Sequence, residues 1–313
     1  MQPIDIISAF FGLFAIALLG ASIIVWGIVV YRWINDLQPL RLEPRRPVGW
    51  SFDAIVFAVG ATVVLASGTT LIAQLAGWVE VSKNDATSTP PLSNAAVLIS
   101  LEGASRILAC GLLLGWLIML YRVHARDLGI ALVARHFKIG IAATAALLPP
   151  LYLLQFLLTI YWVEYKHPVL DLLSEANNPM YLVPMAVVAC IVAPLSEEFV
   201  FRVVLQGWLE SSAMKQADGH SLQSGEDVAW IDSDEDEQTN VPYWPILVSS
   251  FCFAIVHIGH GPAPVSLFFF ALGLGYLYRQ THSIWPSLIV HFALNAITII
   301  SAGINLLIPL DAG

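Results

Sequence analysis

The stretch Ser196-Glu197-Glu198-Phe199-Val200-Phe201-Arg202 sets two carboxylates and a guanidinium inside an apolar run that begins near Met180. Each charge costs roughly 2.5–3.5 kcal/mol at the centre of a membrane helix on insertion scales. Such a cluster persists where the charges pair, line a wet cavity or do chemistry. On a helix, Glu198 and Arg202 stand at i,i+4 and pair on one face. Glu197 is rotated by about 100° from Glu198. One carboxylate is therefore held, while the other is free to point into a cavity as a general base or acid. The structural alternative is an ion pair that locks two helices.

Two further constellations follow. Phe253 and His257 lie one turn apart on a common helical face, with His260 as a spare ligand in a glycine-flanked turn. His291 and Asn295 are again i,i+4, deep in an apolar segment where hydrogen-bonding side chains need partners. A lone histidine at a helix end is often an interfacial or core residue, and a His/Asn pair is often interhelical glue. Three helices that each bring an acid, imidazole or amide at helical spacing point further. Two imidazoles with carboxylates bind a divalent metal and leave a position for water. Alternatively, Glu197 and His257 activate water directly, and His291 and Asn295 donate to the oxyanion of a tetrahedral intermediate. Both routes lead to hydrolysis of an acyl bond.

Glu-Glu-x-x-x-Arg at 197–202, Phe-x-x-x-His at 253–257 and His-x-x-x-Asn at 291–295 resemble the three signature motifs of the CPBP family. These are intramembrane proteases related to the CAAX prenyl endopeptidase Rce1 and to bacteriocin-processing and immunity (Abi-type) proteins. The resemblance covers residues 181–303. It implies that Glu197 is the activating carboxylate, supported by Glu198 and Arg202. His257 would join it on the water or metal, and His291 with Asn295 would complete the site. If a metal is used, the implied one is zinc, held by Glu197, His257 and His291. The motifs are equally compatible with a metal-free glutamate and histidine mechanism. The implied partners are a peptide or protein substrate, lipidated or not, and the lipid bilayer. The long acidic insert between the first two motifs departs from the pattern.

These motifs must be carried by membrane helices. The 313 residues are 58% hydrophobic and 12% charged, with a mean hydropathy of +0.75. A soluble chain averages about 25% charged residues, so the polar surface here is too small to cover a water-soluble body. The expected fold is all-α, a polytopic membrane bundle of about eight transmembrane helices. They are read at Ile6–Trp33, Phe52–Val79, Ala95–Tyr121, Ile139–Trp162, Tyr181–Leu209, Tyr243–His257, Val265–Tyr278 and Ile284–Gly303. The expected organisation is N-terminal helices over 1–179, a catalytic core over 180–303 with an acidic disordered loop at 211–242, and a tail at 304–313.

Arg32, Arg41, Arg45 and Arg46 follow the first helix, and Arg122, Arg126, Arg135 and Lys138 follow the third. This bias places both basic loops in the cytoplasm and both termini outside, in the plasma membrane of a bacterium. No basic stripe with interleaved aromatics is present, so a nucleic-acid partner is set aside. Cys110, Cys190 and Cys252 lie in apolar runs without CxxC spacing and read as buried free thiols. Pro149-Pro150 and Pro194 should kink their helices. Glu102 and Arg106 read as a structural i,i+4 pair, and Trp50, Trp78, Trp162 and Trp244 as interfacial anchors. The HExxH, GxSxG and GxGD signatures of other intramembrane proteases are missing. Two other classes use the same buried polar cluster. They are an ion-coupled transporter, for which inverted repeats would be evidence, and a non-catalytic immunity or binding protein.

Overall fold

The computed structural model describes residues 3–43, 47–78, 92–161, 182–223, 242–259 and 261–307. Among them are eight helices and no strand. The first four are α1 (Pro3–Ile34), α2 (Phe52–Leu75), α3 (Leu92–Tyr121) and α4 (Ala134–Tyr161). The fifth, α5, is continuous over 182–223 but changes winding along its length. Leu182–Val187 is α-helical, Val188–Val192 is π-helical, Ala193–Glu198 is α-helical, Phe199–Gln206 is π-helical and Gly207–Gln223 is α-helical. Then come α6 (Trp244–Ile255), α7 (Ala263–Thr281) and α8 (Ile284–Leu307). The fold is the expected all-α membrane bundle.

Five of the eight helices are long and apolar enough to cross a membrane by themselves: α1, α2, α3, α4 and α8. At 1.5 Å per residue the 12-residue α6 reaches roughly 18 Å, short of a hydrocarbon core about 30 Å thick. A short element is tolerated where protein, not lipid, surrounds it. Only 6% of the most apolar window of α1 is buried, against 33% for α8. The chain thus has outer helices that show their apolar side chains and inner helices that carry the polar ones. Leu13, Ile16, Leu19 and Ile23 on α1 all face outward.

Packing centres on α5, which touches α2, α3, α6, α7 and α8. Ala54, Ala58, Leu113, Leu117, Val203 and Val204 close one core between α2, α3 and α5. Leu148, Leu151, Phe270, Leu274, Val290 and Leu294 close another between α4, α7 and α8. The described parts of the connection after α1 strap onto the end of α7, the start of α4 and the side of α5. The Glu43 amide donates to Gln280 O at 2.9 Å, and its carboxylate pairs with Arg135 and His136. The Val48 amide donates to Ser211 Oγ at 2.8 Å, and Trp50 Nε1 to Val204 O at 3.0 Å. Trp50 is therefore a core residue, 2% exposed, and not the interfacial anchor its position suggested. Its indole N–H is needed by a backbone carbonyl within the bundle. Trp78 and Trp244 are outward-facing, and Trp162 lies outside the described residues.

Prolines leave carbonyls without helix partners, and side chains from neighbouring helices take them up. α4 runs through Pro149 and Pro150 without interruption. Pro150 has no N–H for the carbonyl four residues back, and Trp26 Nε1 of α1 donates to that oxygen, Ala146 O, at 3.0 Å. The α3–α4 connection docks on the α7–α8 turn through Gly129, at φ +65. A Cβ there would overlap the His282 carbonyl, and the Ile284 amide donates back to Gly129 O at 3.1 Å.

α5 continues as helix through Gln223, into the segment expected to be disordered from 211. Ala213 follows Leu209 by four residues, and both are buried, so the apolar face persists past Glu210. Residues 224–241, with most of the acidic side chains, lie outside the described residues, as do Tyr181, His260 and the end of the tail from 308. The three cysteines are free thiols, with Cys190 buried and the other two half-buried.

Candidate active site

The site is built on α5. Glu198, Arg202, Gln206 and Glu210 recur every fourth residue and are 0%, 0%, 0% and 3% exposed. A four-residue spacing overshoots an α-helical turn of 3.6 residues, and the wider π turns over Phe199–Gln206 offset that drift. The polar seam therefore stays turned into the bundle. Gln206 Nε2 donates to Glu210 Oε1 and to Gly275 O, each at 2.8 Å, which ties α5 to α7.

Glu198 and Arg202 pair as their spacing requires. Arg202 Nε lies 3.2 Å from Glu198 Oε2, with both side chains wholly buried. The guanidinium also donates from Nη1 to Ser249 Oγ of α6 at 3.1 Å and sits 5.3 Å from the centre of the Phe253 ring. Ser249 Oγ in turn donates a hydrogen bond to Phe201 O at 2.8 Å. Glu198 uses its other oxygen on α8, where His291 Nδ1 lies 2.9 Å from Glu198 Oε1. A carboxylate only accepts, so the Nδ1 proton is assigned to this bond. His291 Nε2 then faces Glu197 Oε2 at 3.7 Å. That gap is too long for a hydrogen bond, and one water can contact both groups across it.

Asn295 Nδ2 donates to Ala189 O of α5 at 2.7 Å. In the π turn the Ala193 amide bonds to Val188 O, not to Ala189 O. The next residue able to serve Ala189 O is Pro194, which has no N–H. Asn295 supplies the missing donor, so Pro194 shapes the site through the carbonyl it leaves open. His257, just past the end of α6, holds Nδ1 2.7 Å from Phe253 O, which assigns its proton to Nδ1. The Phe253 ring touches both imidazoles, with centroids 4.9 Å from His257 and 5.8 Å from His291.

Glu197 is not the unpaired carboxylate expected from spacing. Arg106 of α3 donates from Nη1 to Glu197 Oε1 at 3.0 Å. The anticipated Glu102–Arg106 pair does form, at 2.9 Å, and the same guanidinium bridges onward to Glu197. Sequence reasoning missed that second bond because an i,i+4 partner already accounted for Arg106. Ser249 was missed as well, although it stands one turn before Phe253 on the same face of α6 and so shares its orientation.

A metal set of Glu197, His257 and His291 has suitable donor chemistry. Each imidazole commits Nδ1 to an acceptor, as metal-ligating histidines do. Yet among the described residues no three His, Cys, Asp or Glu side chains are grouped to hold an ion. Glu197 and His291 face one another, and His257 does not complete the set.

The residues of this arrangement have a counterpart in a known family. The family model of type II CAAX prenyl endopeptidases, Rce1-like, matches residues 179–297. This segment is similar to Rce1-like domains. No curated protein and no solved structure gives a significant match to the chain. The Rce1-like segment takes in α5, α6, α7 and most of α8, and with them all seven residues of the three motifs. The matched family is one of type II CAAX prenyl endopeptidases. Arg106 and Glu102 lie outside it, on α3.

Proposed function

We propose that this protein is an integral membrane endopeptidase in which Glu197 activates a water for attack on a peptide carbonyl, beside His291. One observation carries the reading. His291 stands between two carboxylates, with Nδ1 held by buried Glu198 and Nε2 turned to Glu197. A buried carboxylate on Nδ1 orients an imidazole and fixes its tautomer, the logic of hydrolytic triads.

Glu197 Oε2 takes a proton from water as the hydroxide oxygen bonds to the scissile carbonyl carbon. The carbonyl π electrons move to oxygen, and the resulting oxyanion accepts a hydrogen bond from Nε2 of doubly protonated His291. The oxyanion then re-forms the carbonyl, the C–N bond breaks, and the proton on Glu197 passes to the leaving nitrogen. Asn295 keeps α8 in register on α5, and its second amide hydrogen is available to the oxyanion. His257, with Nδ1 fixed, offers Nε2 to the water or the leaving amine.

Peptide bonds in hydrocarbon are protected by helical hydrogen bonds. The substrates proposed are therefore extended tails or unwound segments, including lipidated C-termini, reached from the cytoplasmic side of a bacterial plasma membrane. The test is cleavage of quenched lipidated and unlipidated peptides by the purified protein in liposomes. Wild type should cleave, while folded Glu197→Gln and His291→Ala should not. Solute or proton flux dependent on Glu197 without cleavage would support a transporter instead.

A further inference from the structure

The Rce1-like segment does not hold its reactive carboxylate unaided. Arg106 on α3 binds Glu197 Oε1 through Nη1 at 3.0 Å and binds Glu102 Oε1 through Nε at 3.1 Å and Nη2 at 2.9 Å. We propose that Arg106 is a positioning residue, supplied by the N-terminal helices, that fixes Glu197 for the hydrolysis described above; the proposal rests on that reading of Glu197.

Three observations carry it. The first is how differently the two adjacent carboxylates are fixed. Glu198 is fully buried and bonded on both oxygens, whereas the Glu197 side chain is 14% exposed. Among the described residues its charged hydrogen-bond donor on Oε1 is Arg106, and without that bond the side chain can leave its rotamer. The second is the division of the two oxygens. Arg106 occupies Oε1, which leaves Oε2 as the oxygen turned to His291 Nε2. The guanidinium is a planar fork, so Glu102 on one edge sets the direction of Nη1 on the other. The third is the approach of the helices. Gly103 lies one turn before Arg106, and a Cβ on it would come within 2.6 Å of Val188 Cγ2 in the first π turn of α5. Absence of a side chain at 103 brings α3 close enough for Arg106 to span to Glu197.

It follows that the N-terminal helices are part of the catalytic assembly. The test uses the full chain in liposomes, with a quenched farnesylated peptide and its unlipidated counterpart as probes. In parallel, infrared spectra of carboxyl-13C-glutamate protein locate the Glu197 band as the difference between wild type and Glu197→Gln. Arg106→Gln should lower kcat by about 10²-fold, the scale of a misplaced reactive group, with KM changed less than about twofold. Arg106→Lys, which keeps the charge but not the fork, should recover part of kcat. Arg106→Gln, which removes the Nη1 bond to Oε1, should shift the Glu197 carboxylate band. Gly103→Leu should shift the same band with every charge intact.

Wild-type kcat and an unmoved band in Arg106→Gln, with Glu197→Gln inactive, would overturn the positioning role while leaving the hydrolytic reading in place. Wild-type cleavage by Glu197→Gln would overturn the hydrolytic reading itself. If neither peptide is cleaved by wild type, the infrared band decides: moved by Arg106→Gln, it supports the proposal, and unmoved, it refutes it.

Discussion

Replacing Arg202 by methionine should destabilise the bundle by about 3–5 kcal/mol, the range for a buried ion pair that loses one partner. Several contacts go at once. Glu198 loses its charged donor at 3.2 Å, Ser249 loses the Nη1 bond at 3.1 Å, and Phe253 loses the guanidinium 5.3 Å from its ring. Both members of the pair are 0% exposed, so solvent does not screen the loss. The bare Glu198 carboxylate would retain His291 as its donor on the α8 side. Replacing both residues, as Glu198→Leu with Arg202→Met, removes the stranded charge and should recover at least half of the lost stability, since apolar pairs of similar volume substitute well for buried ion pairs. The double variant should nonetheless stay inactive, because His291 no longer has a carboxylate on Nδ1. The assay is reversible unfolding of the purified protein in mixed micelles by titration with a denaturing detergent, followed by tryptophan fluorescence. A loss below about 1 kcal/mol for Arg202→Met would refute the reasoning. So would a double variant less stable than the single one.

Other outcomes follow from the same packing. Asn295→Ala strips the donor from Ala189 O and should cost about 1–2 kcal/mol in the same unfolding assay; Asn295→Asp should not restore it, because an ionised carboxylate cannot donate. Gly129→Ala places a Cβ against the His282 carbonyl at positive φ and should destabilise by about 1–3 kcal/mol, read as a lower midpoint with little change in the activity of the folded fraction. Phe253→Leu opens space beside Arg202, His257 and His291 and should cost about 1–3 kcal/mol, accompanied by a fall in kcat.

Much of the site was legible because its signals are local. Glu198 and Arg202 needed only an i,i+4 relation, and the structure realises it. His291 and Asn295 share a face for the same reason, and both turn to α5, one to a carboxylate and one to a carbonyl. The effect of Pro194 was also readable in part, since a proline always leaves a carbonyl open. What could not be read is long-range or depends on winding. Nothing near Glu197 in sequence announces Arg106, 91 positions earlier, and Glu102 offered a sufficient local partner. π turns have no residue pattern of their own, so the alignment of Glu198, Arg202, Gln206 and Glu210 emerges only when α5 is built. Trp50 lies where an interfacial anchor would, but the loop carrying it folds back as a strap. The extension of α5 to Gln223 was hidden because composition turns polar at Glu210 while the buried face still continues to Ala213.

Direct attack of Glu197-activated water on the scissile carbonyl is read out by cleaving a quenched peptide in H2(18)O under single-turnover conditions and weighing the products and the enzyme by mass spectrometry. One 18O atom should enter the new carboxylate, the enzyme should keep its mass throughout, and Glu197→Gln should give no product. A covalent acyl adduct on the enzyme, or 18O-labelled product from Glu197→Gln at the wild-type rate, would contradict it.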